Sequence, residues 1–162
     1  MAPRRRTILL VEDNDDDAFI TGRAFRSAKA DDIDIHRAED GQAAIDYLSG
    51  RGRYADRAAF PLPDLLLLDL KLPHRNGIEV LRWVRGHETL SSLVVLILTS
   101  SSERIDVEQA HRLHVNAYIV KPTSLDTMIE IVGHIRDFWL DPSVTILPQF
   151  GAGAETGALP LA

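Results

Sequence analysis

The chain contains no cysteine, which excludes disulfides, thiolate metal sites and thiol nucleophiles. It has no basic excess. Against 18 Lys and Arg stand 24 Asp and Glu, a formal net charge of −6, and a nucleic-acid binder would lean the other way, so no DNA partner is expected. It has no long apolar run near its start, where MAPRRRTILLVED offers only ILLV before Glu12. That is too short for a signal peptide or a membrane span, so no membrane association and a cytoplasmic location are expected. The three arginines at 4–6 are expected to form a solvated N-terminal arm, residues 1–6. No glycine-rich turn follows the first apolar run, where VEDNDDD stands, which argues against a nucleotide-binding Rossmann module.

What is present suits one domain. The chain has 162 residues, 45% of them apolar, and five apolar runs stand out. These are ILLV (8–11), IDI (33–35), LLLL (65–68), LVVLIL (93–98) and AYIV (117–120). Unbroken short runs fit strands buried on both faces, and the alternating IDI run fits an edge strand with one wet face. Segments with helical spacing lie between and after them. One follows Asp15 and places Ile20, Ala24 and Ala28 with Thr21 and Phe25 on a face. DGQAAIDYLSG (40–50) predicts a helix capped by Asp40 and ended by Gly50. Residues 77–85 align Ile78, Leu81 and Val84, whereas 103–114 offer little beyond Ala110 and Leu113. Residues 124–140 put Leu125, Met128, Ile129, Val132, Ile135 and Trp139 on one face, widened by Ile131 and Phe138.

Five β-α units in alternation predict an α/β fold, (βα)5, with helices on both faces of a parallel five-stranded sheet. The strand order 2-1-3-4-5, doubly wound and flavodoxin-like, puts the alternating second run at an edge and makes strands 1 and 3 neighbours. Outside that count lie the basic loop SGRGRYADRAAFPLP (49–63) and a Gly/Ala/Pro-rich tail. The folded domain is expected over 7–144, with 145–162 a disordered tail.

The stretch DLLLLDLKLP (64–73) sets a carboxylate, Asp69, directly after the most apolar run, where an unpartnered charge is costly. In open parallel sheets ligands bind beyond the carboxyl ends of the strands. Glu12, Asp13, Asp69, Thr99 and Lys121 all stand at such ends and are expected to converge. Crowded carboxylates repel unless a cation lies between them, and an all-oxygen donor set selects a hard ion, Mg²⁺. A carboxylate is ionised at neutral pH and attacks phosphorus without a general base. Phosphoryl transfer then asks mainly for positioning and positive charge, which Mg²⁺, Lys121 and the Thr99 hydroxyl would supply.

ILLVEDN, LLLLDLKLPHRNG, VVLILTSS and AYIVKP resemble the defining segments of receiver domains in two-component response regulators, over about Thr7 to Leu140. The resemblance implies that Asp69 accepts phosphate from a histidine kinase. It implies that Glu12, Asp13, Asp69 and the backbone carbonyl of Lys71 hold the metal, with Asp13 the closer ligand of the acidic pair. It also implies Thr99 as the conserved hydroxyl, Tyr118 as the aromatic switch, and Lys121 ahead of a cis proline, Pro122. The long loop before the third strand, the DLKLP form and Phe138–Leu140 resemble the small standalone regulators that partner bacterial phytochrome kinases. Phosphorylation is then expected to draw Thr99 toward the phosphoryl group, let Tyr118 follow and alter the face built from 103–123. Such a protein assists its own phosphorylation and dephosphorylation without being an enzyme. With no output domain it signals through protein contacts, or passes phosphate onward as a phosphorelay intermediate.

Two positions depart from the usual or stand out. Asn116 replaces the glycine usual before the fifth strand and is expected to take the left-handed turn. The Lys71 side chain sets a cation beside the approach of water, where it would affect the dephosphorylation rate. Asp15, Asp40 and Asp64 read as caps or turn formers. His111 and His114 share a helix face and read as solvated, with no third metal ligand evident, and His74 and His87 read as surface residues. Trp83 lies off its helix's stripe and would cover the sheet margin or face a partner. The wide apolar arc of the last helix suggests a homodimer through the 103–140 region. A Mg²⁺-dependent phosphohydrolase with a strand-end aspartate would need a second acid two residues on, where this chain has Lys71. An adaptor that is never phosphorylated would not need the whole set.

Overall fold

Each apolar run becomes a strand, and each intervening amphipathic segment a helix. The computed structural model describes residues 4–141 and 143. In chain order the elements are β1 (Arg6–Val11), α1 (Asp15–Ser27), β2 (Ile33–Ala38), α2 (Gly41–Ser49), β3 (Leu65–Leu68), α3 (Gly77–Gly86), β4 (Val94–Thr99), α4 (Arg104–Arg112), β5 (Ala117–Val120) and α5 (Leu125–Trp139). A single 3-10 turn, Gly52–Tyr54, interrupts the loop before β3. All strand pairs are parallel, in the order β2-β1-β3-β4-β5.

The unbroken runs are explained by two cores. Alternate residues Leu66, Leu68, Val95 and Ile97 face α2, α3 and α4, which contribute Tyr47, Leu81 and Ala110. Their neighbours Leu65, Leu67, Leu96 and Leu98 face α1 and α5, which contribute Phe25, Met128 and Val132. Because successive strand side chains point to opposite faces, a strand covered on both sides needs no polar position. The edge strand β2 buries only its terminal residues, Ile33 in one core and Ala38 in the other, and leaves Asp34 to Arg37 partly covered.

Local chemistry sets the helix ends. Asp40 caps α2 by accepting the Ala43 N–H at 2.7 Å, and Gly50 ends it with φ of 66°. The α1 cap is Asn14, whose Oδ1 accepts the Asp17 N–H at 2.9 Å, so Asp15 is the first helical residue and not the cap. Ile20 lies off the buried face and is 40% exposed, because Thr21, Ala24 and Phe25 take the side that meets the sheet. Asp64 caps no helix; it ties the start of β3 to β1, its N–H donating to Thr7 O and its carboxylate accepting the Thr7 N–H, both at 2.8 Å. The arginines expected as an arm are held: Arg6 opens β1, Arg4 and Arg6 pair with Asp64, and Arg5 pairs with Asp34.

Two turn expectations are corrected. The left-handed residue before β5 is His114, with φ of 54°, and not Asn116. Asn116 instead uses its side chain, whose Oδ1 accepts the Val95 N–H at 2.8 Å and an Arg85 N–H at 2.9 Å. The bond before Pro122 is trans, since no peptide bond among the described residues is cis. The two isomers of an X–Pro bond differ by only about 0.5–1 kcal/mol, so the dipeptide alone does not select one. The loop before β3 is ordered by Arg57, which donates to the Tyr47, Leu48 and Phe60 carbonyls, and by the packed rings of Tyr47, Tyr54 and Phe60. Trp83 is half-buried against the core and packs at a tilt on His87, with ring centroids 4.9 Å apart. His111 and His114 are solvent-exposed, and the tail expected over 145–162 lies outside the described residues.

Candidate functional site: an acidic rim around one lysine

The strand register delivers the site. Leu68 of β3 is level with Val11 of β1 and Ile97 of β4, so the residues that follow emerge at one edge. The ladder continues past the strands. The Glu12 N–H donates to Ala38 O at 3.0 Å, the Asp69 N–H to Val11 O at 3.1 Å, and the Lys121 N–H to Thr99 O at 2.7 Å. The backbones of the three charged residues are therefore as fixed as the sheet. Gly77 allows the close fit of α3 behind them, because a Cβ there would collide with the Asp69 carbonyl.

Glu12 and Asp69 are buried, at 2% and 6% exposure, whereas Asp13 faces solvent. One oxygen from each of the three lies within 4.8 Å of the others. Lys121 reaches in from β5, its Nζ donating to Glu12 Oε2 at 2.7 Å, Asp69 Oδ2 at 2.8 Å and Asp17 Oδ2 at 2.8 Å. The second oxygens are also engaged. Glu12 Oε1 accepts the Asn14 N–H at 3.1 Å and Asp69 Oδ1 the Lys71 N–H at 3.3 Å. Arg37 fixes the loop from outside, donating to the Glu12 and Asp13 carbonyls at 2.9 and 3.2 Å.

The electrostatics follow from burial. Burial pushes the Glu12 carboxyl above its ordinary range, and the Lys121 ammonium only partly reverses this. Burial works against the charge on Lys121 too, but its hydrogen bonds to Asp17, Asp69 and Glu12 win and hold its pKa above the ordinary value. The ammonium stays charged throughout the physiological range.

The expected site residues Glu12, Asp13, Asp69 and Lys121 thus come together. Thr99 is fully buried at the end of β4, its Oγ1 accepting the Ser101 N–H at 3.3 Å. Tyr118 is one step removed, its hydroxyl donating to Ser101 O at 2.8 Å, while Ser101 Oγ donates to Asp106 of α4 at 2.5 Å. Thr99 of β4 and Tyr118 of β5 therefore both bond to Ser101, in the loop that leads into α4. Lys71 meets the site through its backbone, and its side chain is exposed. Asp17 and Arg37 were missed. Asp17 sits in a run of acids, Asp15 to Asp17, where nothing in the sequence distinguishes it.

Three carboxylate oxygens without a nitrogen or sulfur donor suit a hard divalent cation, and one ammonium leaves the cluster net negative. Residues 8–133 match the response regulator receiver domain family. The chain is 38% identical over 133 residues to the probable methanogenesis regulatory protein FilR2 of Methanothrix harundinacea, covering 82% of this chain and 83% of that one. It is 35% identical over 136 residues to the response regulator Rcp1 of Synechocystis, covering 84% and 90%. Among solved structures it resembles the phosphorylated cyanobacterial phytochrome response regulator RcpA, with a TM-score of 0.77, 36% identity and coverage of 85% and 95%. It also resembles the Mn²⁺-bound form of Rcp1, with a TM-score of 0.76, 34% identity and coverage of 89% and 99%. A match over most of the folded chain, to relatives of nearly the same length, leaves one conclusion: this chain belongs to the response regulator receiver domain family.

Proposed function

We propose that Asp69 accepts a phosphoryl group from the phosphohistidine of a sensor histidine kinase, with Mg²⁺ as the cation. The observation that carries this reading is the Lys121 ammonium held 2.8 Å from Asp69 and 2.7 Å from Glu12, with Asp13 alongside. An Asp69 oxygen forms the new P–O bond while the P–N bond breaks, and its electron pair stays on the imidazole nitrogen, which is then protonated. Lys121 offers an N–H to a phosphoryl oxygen, and the Thr99 hydroxyl offers another. Glu12, Asp13, Asp69 and the Lys71 carbonyl would hold Mg²⁺, which when bound supplies charge neutralisation at the phosphoryl oxygens. Thr99, Ser101 and Tyr118 carry the change to α4, and the exposed Lys71 ammonium tunes hydrolysis. The protein assists its own phosphorylation and dephosphorylation and is not an enzyme with a turnover substrate.

The likeness to Rcp1 and to the phytochrome response regulator RcpA supports a bacterial phytochrome kinase as the donor. The pair of copies would form through the 103–140 region, where Ile105, Val107, Val120 and Phe138 are exposed. No helix among the described residues is long and apolar enough to cross a membrane. The test incubates wild type and Asp69→Asn with acetyl phosphate, with and without Mg²⁺, and weighs the intact protein. One added phosphate is expected on wild type with Mg²⁺ only. Uptake by the Asn variant overturns the assignment.

A further inference from the structure

The Lys121 ammonium has three N–H donors, and all three are committed to carboxylates, Glu12, Asp69 and Asp17. Two of these acceptors have a second duty, because Glu12 and Asp69 belong with Asp13 to the oxygen set that suits a cation. Asp17 does not belong to that set. Its carboxylate is also delivered from a fixed frame, since the Asn14 cap takes the Asp17 N–H at 2.9 Å and locks the first turn of α1. We infer that Asp17 is a positioning residue for Lys121: it keeps the ammonium at the rim when Glu12 and Asp69 engage other partners, so that the N–H now given to Asp69 Oδ2 is presented to an incoming phosphoryl oxygen.

This rests on the reading of Asp69 as phosphoacceptor, and it adds a fourth carboxylate to the site, one that acts through the lysine alone. A purely local role is the competing account. An acid in the first turn of a helix favours the N-terminus by about 0.3–1 kcal/mol whichever residue carries it. Asp16 is the natural control, being in the same turn, exposed and without a partner among the described hydrogen bonds and ion pairs.

The first experiment needs neither metal nor phosphate. The full chain has three lysines, Lys29, Lys71 and Lys121. Metal-free protein is treated with limiting acetic anhydride, and acylation at each lysine is read by peptide mass. Lys121 is expected to lag behind Lys29 and Lys71 in wild type and in Asp16→Asn, and to react several-fold faster in Asp17→Asn. The second experiment measures phosphorylation by acetyl phosphate at saturating Mg²⁺. Loss of one charge-assisted hydrogen bond to the lysine should slow Asp17→Asn by roughly tenfold, with recovery in Asp17→Glu and no change in Asp16→Asn. Unchanged Lys121 acylation in Asp17→Asn, or equal effects of the two Asn variants, overturns the inference. Asp69→Asn is run beside them: phosphate uptake there removes the acceptor assignment, while the acylation result still decides whether Asp17 holds Lys121.

Discussion

A charge placed at the end of a buried strand must be partnered, and in this chain the partner is always nearby and bonded. Asp69 and Glu12 share one ammonium, and no buried side-chain polar atom among the described residues lacks a hydrogen bond. Tyr47 meets the same requirement without a charge. Its ring is fully buried, its hydroxyl donates to Pro61 O at 2.9 Å, and burial pushes the phenol from its ordinary value near 10 up to about 12. The folded protein therefore keeps the proton over a range in which the unfolded chain has lost it. Stability falls as pH rises from 10 to 12, by about 2–3 kcal/mol from this group. Urea unfolding across that range should show a shallower decline for Tyr47→Phe, after a uniform loss of about 1 kcal/mol for the orphaned carbonyl. Equal slopes would refute it. The residues that sequence placed correctly at the site are those whose position follows from strand ends: Glu12, Asp13, Asp69 and Lys121. Those it missed or mistook depend on a side chain's partner. Asp17 needed Lys121 to be seen, and Asn116 was read for its backbone when its amide oxygen mattered.

At the scale of elements, α4 is the one held least by the core. It buries only Ala110, and its N-cap residue Glu103 makes no side-chain capping bond. Its two ends differ. At the C-terminal end the half-buried Arg85 of α3 donates to the Leu113 and His114 carbonyls, to Ser91 O and Leu93 O, and to Asn116. Every one of these acceptors is neutral, and burial lowers the Arg85 pKa from its ordinary value. The N-terminal end meets the rest through Ser101 and Asp106, next to Thr99 and Tyr118. The helix is thus pinned at one end and attached to the acidic rim at the other. Arg85→Met should cost about 1–3 kcal/mol, because several partly buried carbonyls lose their donor. Hydrogen exchange should then quicken at residues 113–116 while α5 keeps its protection, and uniform acceleration would show that Arg85 acts on the whole domain instead. The sparse apolar content of 103–114 already marked this helix as weakly held. Arg85 itself was hidden, because an arginine on an amphipathic helix usually reads as solvated, and three of its acceptors, Leu113, His114 and Asn116, lie 28–31 residues away in sequence.

For the molecule as a whole, the order β2-β1-β3-β4-β5 was legible because five apolar runs alternating with amphipathic segments leave few right-handed arrangements, and the alternating run had to be an edge. The same topology leaves β5 at the opposite edge, where its residues are only partly covered. Beside it α5 forms a shallow groove of about 560 Å³ lined by Ile119, Ile131, Ile135, Phe138 and Trp139. Phe138 is 55% exposed and packs edge-on against Trp139 at 4.8 Å. In a symmetric pair each such residue is covered twice, once per copy. Covering the exposed half of a phenylalanine is worth about 1 kcal/mol, so two copies contribute about 2 kcal/mol, and a lysine there would also bury a charge. If the proposed pairing uses this groove, Phe138→Lys should weaken it by roughly 100-fold or more in sedimentation velocity across a dilution series. Its phosphate uptake from acetyl phosphate should match wild type, because the acidic rim lies at the strand ends and not in this groove. A wild-type chain that stays monomeric at every concentration, or a lysine variant that pairs as well as wild type, would place the partner of this face elsewhere.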